Sequence, residues 1–133
     1  QERIQAEQEA NIEQARRWRK VVGGGMRQVG YMAACGIYAL DNHIERLRLD
    51  HSNAELLAKE LSSINQVTVK NNRAFTNMVF LEIDGGELVK LTQFLAQRGI
   101  KVGGYGEMRL VTHLDIEETD IDRVVAAFRD YYN

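Results

Sequence analysis

The sequence predicts an α+β fold: a small, mostly antiparallel sheet, covered by helices on one face and preceded by long N-terminal helices. Two observations carry this prediction. Residues 1–65 show helical spacing of apolar side chains, interrupted by three consecutive glycines at 23–25. Residues 66–133 alternate short apolar runs with two amphipathic segments, in the order strand, strand, helix, strand, strand, helix. We therefore divide the chain into a helical segment, 1–65, and a small α+β domain, 66–133.

The composition narrows the class of protein. Hydrophobic residues make up 44% of the 133 residues, which is enough for one domain to bury a core. The net charge of −2 argues against a surface for nucleic acid. The longest near-apolar run, 31–40, is too short to cross a bilayer, so we expect a cytoplasmic protein without a membrane partner.

Cys35 is the only cysteine in the sequence. A single cysteine excludes an intramolecular disulfide and a cysteine metal cluster, and we expect no metal site. Because Cys35 lies in an apolar helical pattern, we expect it to be a small core residue.

The N-terminal half predicts two or three helices. Residues 1–20 are rich in Glu, Gln and Ala, change from acidic to basic along their length, and end at the glycines. A second helical pattern starts near Met26, and its apolar stripe runs on through residue 64. Because so long a helix is improbable in a small domain, we expect a break at 41–43. A break near Ser52, which has capping-box spacing to Glu55, is the alternative.

The second half supplies the sheet. The predicted strands are 67–69, 78–83, 100–102 and 108–112. The apolar run of 78–83 is typical of a central strand. Asn71 and Asn72 predict one turn, and residues 84–86 predict another. One helix is expected to follow and to stop at Gly99, and the last helix begins after residues 115–119.

A basic, glycine-rich junction joins the first two helices. Lys20 precedes Gly23, Gly24 and Gly25, and Arg27 follows them. A glycine turn that opens a helix can bring backbone N–H groups and the helix dipole to an anion, and the two cations add full charge. The alternative is a helix stop surrounded by solvated basic residues.

Three separated motifs resemble the low-specificity L-threonine aldolase family. They are residues 15–20 (Ala-Arg-Arg-Trp-Arg-Lys) with 23–28 (Gly-Gly-Gly-Met-Arg-Gln), 76–81 (Thr-Asn-Met-Val-Phe-Leu), and 104–114 (Gly-Tyr-Gly-Glu-Met-Arg-Leu-Val-Thr-His-Leu). The resemblance covers about residues 10–133 and only the C-terminal part of such enzymes. It implies a lyase of fold type I that uses pyridoxal 5'-phosphate to cleave threonine or allo-threonine to glycine and acetaldehyde.

The resemblance also implies roles for individual residues. Arg109 is similar to the arginine that binds the substrate α-carboxylate, and Tyr105 would line the substrate entrance. The alternative for Arg109 is a surface ion pair with Glu107 or Asp115. His113 follows in the same motif, and we expect strand alternation to turn it to another face.

The glycine junction gains a role by the same resemblance. Lys20, Arg27, Gly23, Gly24 and Gly25 are similar to the residues on the phosphate side of the cofactor, where this segment approaches the active site of a neighbouring subunit. The implied partners are therefore a large cofactor domain and the other subunits of a homo-oligomer, expected to be a homotetramer.

The sequence departs from the family in one respect. The expected Ser-Lys-Gly motif of the Schiff-base lysine does not occur, and all five lysines lie in other contexts. We therefore assign no catalytic residue and expect the chain alone to be inactive. The competing hypothesis is a non-catalytic α+β module that self-associates or binds a partner. A third hypothesis, another fold-type-I enzyme such as a β-eliminating lyase, is disfavoured by the sequence of residues 108–113.

Overall fold

A computed structural model describes residues 2–103 and 107–133, and it confirms the α+β prediction. The helices are α1 (Glu2–Val21), α2 (Gly30–Asn42), α3 (Leu47–Ser62), α4 (Gly85–Gln97) and α5 (Glu118–Tyr132). The strands are β1 (Thr68–Val69), β2 (Met78–Glu82) and β3 (Met108–Val111), and a short 3-10 helix, Lys70–Asn72, follows β1.

The chain divides into two compact units. The first ends at Asn42 and the second spans His43–Asn133, whereas the sequence prediction drew its boundary at residue 65. The predicted helix break at 41–43 is confirmed, because α2 ends at Asn42 and α3 begins at Leu47. The alternative break near Ser52 is wrong, since α3 continues through it.

The first unit consists of α1 and α2. The backbone N–H of Val22 donates to the carbonyl of Trp18, and Gly23 ends the helix with a φ of +95°. The second helix begins at Gly30 rather than near Met26, since Gln28 adopts a φ of +56° that a helix does not contain.

No residue of α2 is buried. The prediction that Cys35 is a core residue is therefore wrong, because its side chain is exposed. Helical periodicity identifies an apolar face, but it does not supply a neighbouring element that covers the face.

The sheet of the second unit has the order β1-β2-β3, and both pairings are antiparallel. The prediction of a central β2 is thus confirmed. Val79 lies opposite Leu110, and Leu81 lies opposite Met108. These four side chains are buried on one face of the sheet. The pleat consequently places Phe80 and its partner Arg109 on the other face.

The core lies between the buried face of the sheet and the helices α3, α4 and α5. These helices contribute leucines, an isoleucine and a phenylalanine that are at most 3% exposed: Leu57, Leu61, Leu91, Leu95, Ile121 and Phe128. The N-terminus of α5 is closed by a capping box between Glu117 and Asp120. The buried side chains of the sheet and of the three helices pack together, so helices cover one face of the sheet, as predicted.

One predicted strand of the second unit is wrong. Residues 100–102 form no strand, because the N–H of Ile100 donates to the carbonyl of Leu95 and completes the end of α4 around Gly99, whose φ is +76°. The chain reaches the sheet only at Gly103, which bridges Arg109. The predicted turn at 84–86 is the point where β2 gives way to α4, and the Asp84 carboxylate accepts from the N–H of Gly86 and caps the helix.

Candidate functional site

Arg109 lies at the edge of the sheet with its side chain exposed. Its backbone N–H donates to the carbonyl of Gly103 at 2.7 Å, which fixes the strand at this point. Of its two suggested ion-pair partners, Glu107 contacts Lys70, and Asp115 lies 3.7 Å from Nδ1 of His113. Among residues 2–103 and 107–133, no carboxylate pairs with the Arg109 guanidinium. Its donors are therefore open to a ligand.

A cleft of about 340 Å³ runs beside Arg109, between residues 99–103, β3 and the start of α5. Its rim carries Lys101, Arg109, His113 and Arg123. His113, which we expected strand alternation to turn to another face, lies two residues beyond the end of β3, so strand alternation does not set its direction. It lines the same cleft as Arg109. Tyr105, predicted to line the substrate entrance, lies outside the described residues.

The end of β3 is tied to α3 by buried polar contacts. The Thr112 hydroxyl donates to the carbonyl of Asp50 at 2.7 Å, and the Asn77 amide donates to the carbonyl of Thr112 at 2.7 Å. Two 3.0 Å bonds from Arg46 hold the buried Asp50 carboxylate. Sequence reasoning missed these residues, although an arginine four positions before an aspartate on a helix is a visible signal.

Lys70 is occupied by a structural contact. Its ammonium donates to the Glu107 carboxylate, and this hydrogen bond, together with the negative charge, raises the pKa of Lys70. The lysine therefore stays protonated at neutral pH. A protonated amine cannot attack a carbonyl group, so this environment does not suit covalent catalysis.

The glycine junction in the first unit acts as the end of α1. The N–H of Gly24 donates to the carbonyl of Arg19 at 2.7 Å, and that of Gly23 donates to Lys20 at 3.3 Å. A Cβ on Gly24 would lie 2.6 Å from Cγ of Arg19, so only glycine fits there. The helix N-terminus expected at the glycines lies further on, at Gly30.

The two cations of the junction remain available. Lys20 and Arg27 are exposed, and within the described part of the chain neither forms an ion pair. The N–H groups of Gly23 and Gly24 already bond to carbonyls of α1. The groups of the junction that can bind an anion are therefore the side chains of Lys20 and Arg27.

Comparison with known proteins gives the family. Residues 4–84 match the family described as beta-eliminating lyase. The chain belongs to the beta-eliminating lyase family. Enzymes of this family depend in general on pyridoxal phosphate.

Several relatives of this chain carry threonine aldolase names. It is 38% identical over 120 residues to the low specificity L-threonine aldolase of Escherichia coli (strain K12), covering 90% of this chain and 35% of the relative. It is 33% identical over 123 residues to low-specificity L-threonine aldolase 1 of Arabidopsis thaliana, covering 89% and 34%. The chain spans about a third of the length of these relatives. The resemblance to threonine aldolases found in the sequence is confirmed. The sequence analysis treated a β-eliminating lyase as a competing hypothesis, but the matching family carries that description while the relatives carry threonine aldolase names.

Within the described ranges, this member of the family shows no cluster of three His, Cys, Asp or Glu side chains able to hold a metal ion. Nor does that part of the chain contain a helix with the length and apolar character to cross a membrane.

Proposed function

We propose that this chain supplies the C-terminal part of a pyridoxal-phosphate aldolase that cleaves L-threonine and L-allo-threonine to glycine and acetaldehyde. The observation that carries the proposal is the exposed guanidinium of Arg109, which has no carboxylate partner among the described residues and borders a cleft. The names of the relatives supply the reaction.

Arg109 binds the α-carboxylate of the amino-acid substrate. A planar guanidinium makes two parallel N–H···O bonds to a carboxylate, so it fixes orientation as well as position. The bridge to Gly103 and the contacts of Thr112 with Asp50 and Asn77 hold the strand that carries it. A rigid strand can therefore aim the substrate bond that is to break.

Lys20 and Arg27 fit the phosphate side of the cofactor. Both are exposed cations on either side of a glycine turn whose small residues permit close approach. When bound, pyridoxal phosphate supplies the electron sink for cleavage of the Cα–Cβ bond. The remaining walls of the site belong to a large cofactor domain and to neighbouring subunits of a homo-oligomer, which we propose to be a tetramer.

The lysine that holds the cofactor carbonyl is not among the residues of this chain. Lys70 is paired with Glu107, and Lys90 lies 3.8 Å from Glu87 on α4. Lys20 is assigned to the phosphate, and Lys59 and Lys101 are exposed. The chain alone is therefore inactive and contributes binding rather than covalent chemistry.

The second candidate is a non-catalytic α+β module that acts in self-association or partner binding. The observation that favours it is α2, an apolar helix without a buried residue. Under this hypothesis Arg109 has no ligand, so its substitution does not change the rate of threonine cleavage.

A chimera tests the first candidate. In it, this chain replaces the matching 120 residues of the Escherichia coli relative, and threonine cleavage is followed by acetaldehyde release. Arg109→Gln should lower kcat/KM about a hundredfold, because two charge-assisted hydrogen bonds are lost, and Arg109→Lys should restore only part of it. The control is Arg48→Gln, an exposed arginine of α3 that pairs with Glu45, three residues earlier in the chain. A folded chimera in which Arg109→Gln behaves like this control would overturn the proposal.

A further inference from the structure

The cleft beside β3 carries more positive charge than a carboxylate clamp on Arg109 requires. Lys101, Arg109 and Arg123 line it, together with His113. Asp120 is the one carboxylate among its described lining residues, and it accepts the N–H of Glu117 at 3.0 Å in the capping box of α5. The cleft is thus cationic on a chain whose net charge is −2.

Two side chains of the rim, Arg123 and His113, are held in place by hydrogen bonds. Arg123 donates from Nη2 to the carbonyl of Arg98 at 2.7 Å, which fixes one edge of its guanidinium and leaves the other N–H groups to a ligand. The N–H of Asp115 donates to Nδ1 of His113 at 3.3 Å. The Asp115 carboxylate lies 3.7 Å from the same nitrogen, so Nε2 is the ring nitrogen that is left to a ligand. A fixed donor loses less freedom when it binds an anion.

The floor of the cleft is apolar. Leu57 and Ile121 are buried there, and Ile116 and Val124 are half-buried beside them. A volume of about 340 Å³ lies within the range of small-molecule sites. An inorganic anion would pair with the rim but leave this floor in contact with water.

The geometry points to a binding site for a small organic carboxylate that carries an apolar body. The carboxylate pairs with Lys101 and Arg123 at the rim, and the apolar body covers Ile116 and Val124. The inference concerns the same cleft that Arg109 borders in the proposed function, but it goes beyond that function because Lys101, Arg123 and the floor have no part in it. Its test needs neither pyridoxal phosphate nor activity.

The test is a titration of the full chain, with the isoleucine and valine methyl groups observed by NMR. Phenylacetate should shift the methyl signals of Ile116 and Val124. Two partial probes, 2-phenylethanol, which lacks the charge, and inorganic phosphate, which lacks the apolar body, should each bind about tenfold more weakly. Equal binding of the alcohol, equal binding of phosphate at the same residues, or no shift at about 10 mM phenylacetate would overturn the site.

Variants assign the binding to the rim. Lys101→Gln with Arg123→Gln should weaken phenylacetate binding about tenfold, whereas Lys59→Gln with Arg48→Gln, two exposed cations of α3 outside the cleft, should not change it. Lys101→Gln alone keeps the bond from Arg123 to Arg98 and serves if the double variant unfolds. Unchanged affinity in the folded Lys101 variant would contradict the assignment. Failure of the chimera with an intact phenylacetate site would overturn only the proposed function.

Discussion

The two units of this chain use apolar residues in opposite ways. Among the described residues, every buried hydrophobic side chain lies between Ala54 and Phe128, in the second unit. In the first unit, α2 is apolar on every side, yet Tyr31 is 80% exposed and Leu40 is 66% exposed. A helix that is hydrophobic all round normally lies inside a larger structure. The second unit therefore buries its apolar residues in a core of its own, whereas the first unit leaves the apolar surface of α2 exposed.

The largest expected difference between the units is in the free energy of unfolding. Phe128→Ala removes a ring that is 0% exposed in the core, and it should lower this free energy by about 3–5 kcal/mol. Tyr31→Ala, in α2, should change it by less than about 0.5 kcal/mol. Urea denaturation of both variants measures the difference. Similar losses for the two would mean that the units do not differ in this way.

Two ion pairs with the same spacing extend the comparison. Arg46 and Asp50 pair at 3.0 Å with the Asp50 side chain 5% exposed, whereas Arg3 and Glu7 pair at 3.3 Å in solvent. Asp50→Ala should lower the free energy of unfolding by about 2 kcal/mol, because it leaves the partly buried Arg46 without its partner. Glu7→Ala should lower it by less than about 0.5 kcal/mol. Equal effects in urea denaturation would show that burial does not decide the strength of these pairs.

The exposed face of α2 predicts self-association. Apolar patches of this kind associate in water, so sedimentation velocity should show species larger than a monomer as the concentration rises. Met32→Ser with Ile37→Ser, two exposed positions of α2, should weaken the association about tenfold. Val89→Ser, an exposed apolar position of α4 in the second unit, is the control. A chain that stays monomeric at every concentration contradicts this prediction.

The smallest expected effect is on alkaline stability. The Tyr131 hydroxyl donates to the Glu87 carboxylate at 2.6 Å, and this hydrogen bond, with burial, raises the pKa of Tyr131 from 10.0 to about 12. Because the folded state holds the proton more tightly, the contribution is complete below pH 10 and is lost between pH 10 and 12. Tyr131→Phe should flatten the fall in unfolding free energy over this range. The pKa values of Lys70 and Tyr132 are also raised in both proteins, so only the difference between the two stability curves is assigned to Tyr131.

Sequence patterns predicted the helices and strands better than they predicted which other elements these pack against. A continuous apolar run identified β2 as the central strand, and the length limit on helices located the break before α3. Periodicity could not say whether a neighbour covers Cys35. It also could not foresee that Ile100 would complete the end of α4 instead of joining the sheet.

The candidate site was harder to predict. Arg109 emerged only from a resemblance, because a lone arginine in a strand has no distinctive pattern. The contact between Thr112 and Asp50 joins residues 62 positions apart, and such a pair requires the folded chain. The cationic cleft likewise joins Lys101, Arg109 and Arg123 from three different segments.

Release of acetaldehyde from L-threonine by the chain itself, with pyridoxal phosphate added, tests the account most directly. Both units offer binding groups, Lys20 and Arg27 in the first and Arg109 in the second, but we assign to neither a lysine that can hold the cofactor carbonyl. We predict acetaldehyde only at the rate of free pyridoxal phosphate, measured with a coupled alcohol dehydrogenase. An enzyme-like rate that saturates with threonine would contradict the claim that the other walls of the site lie elsewhere.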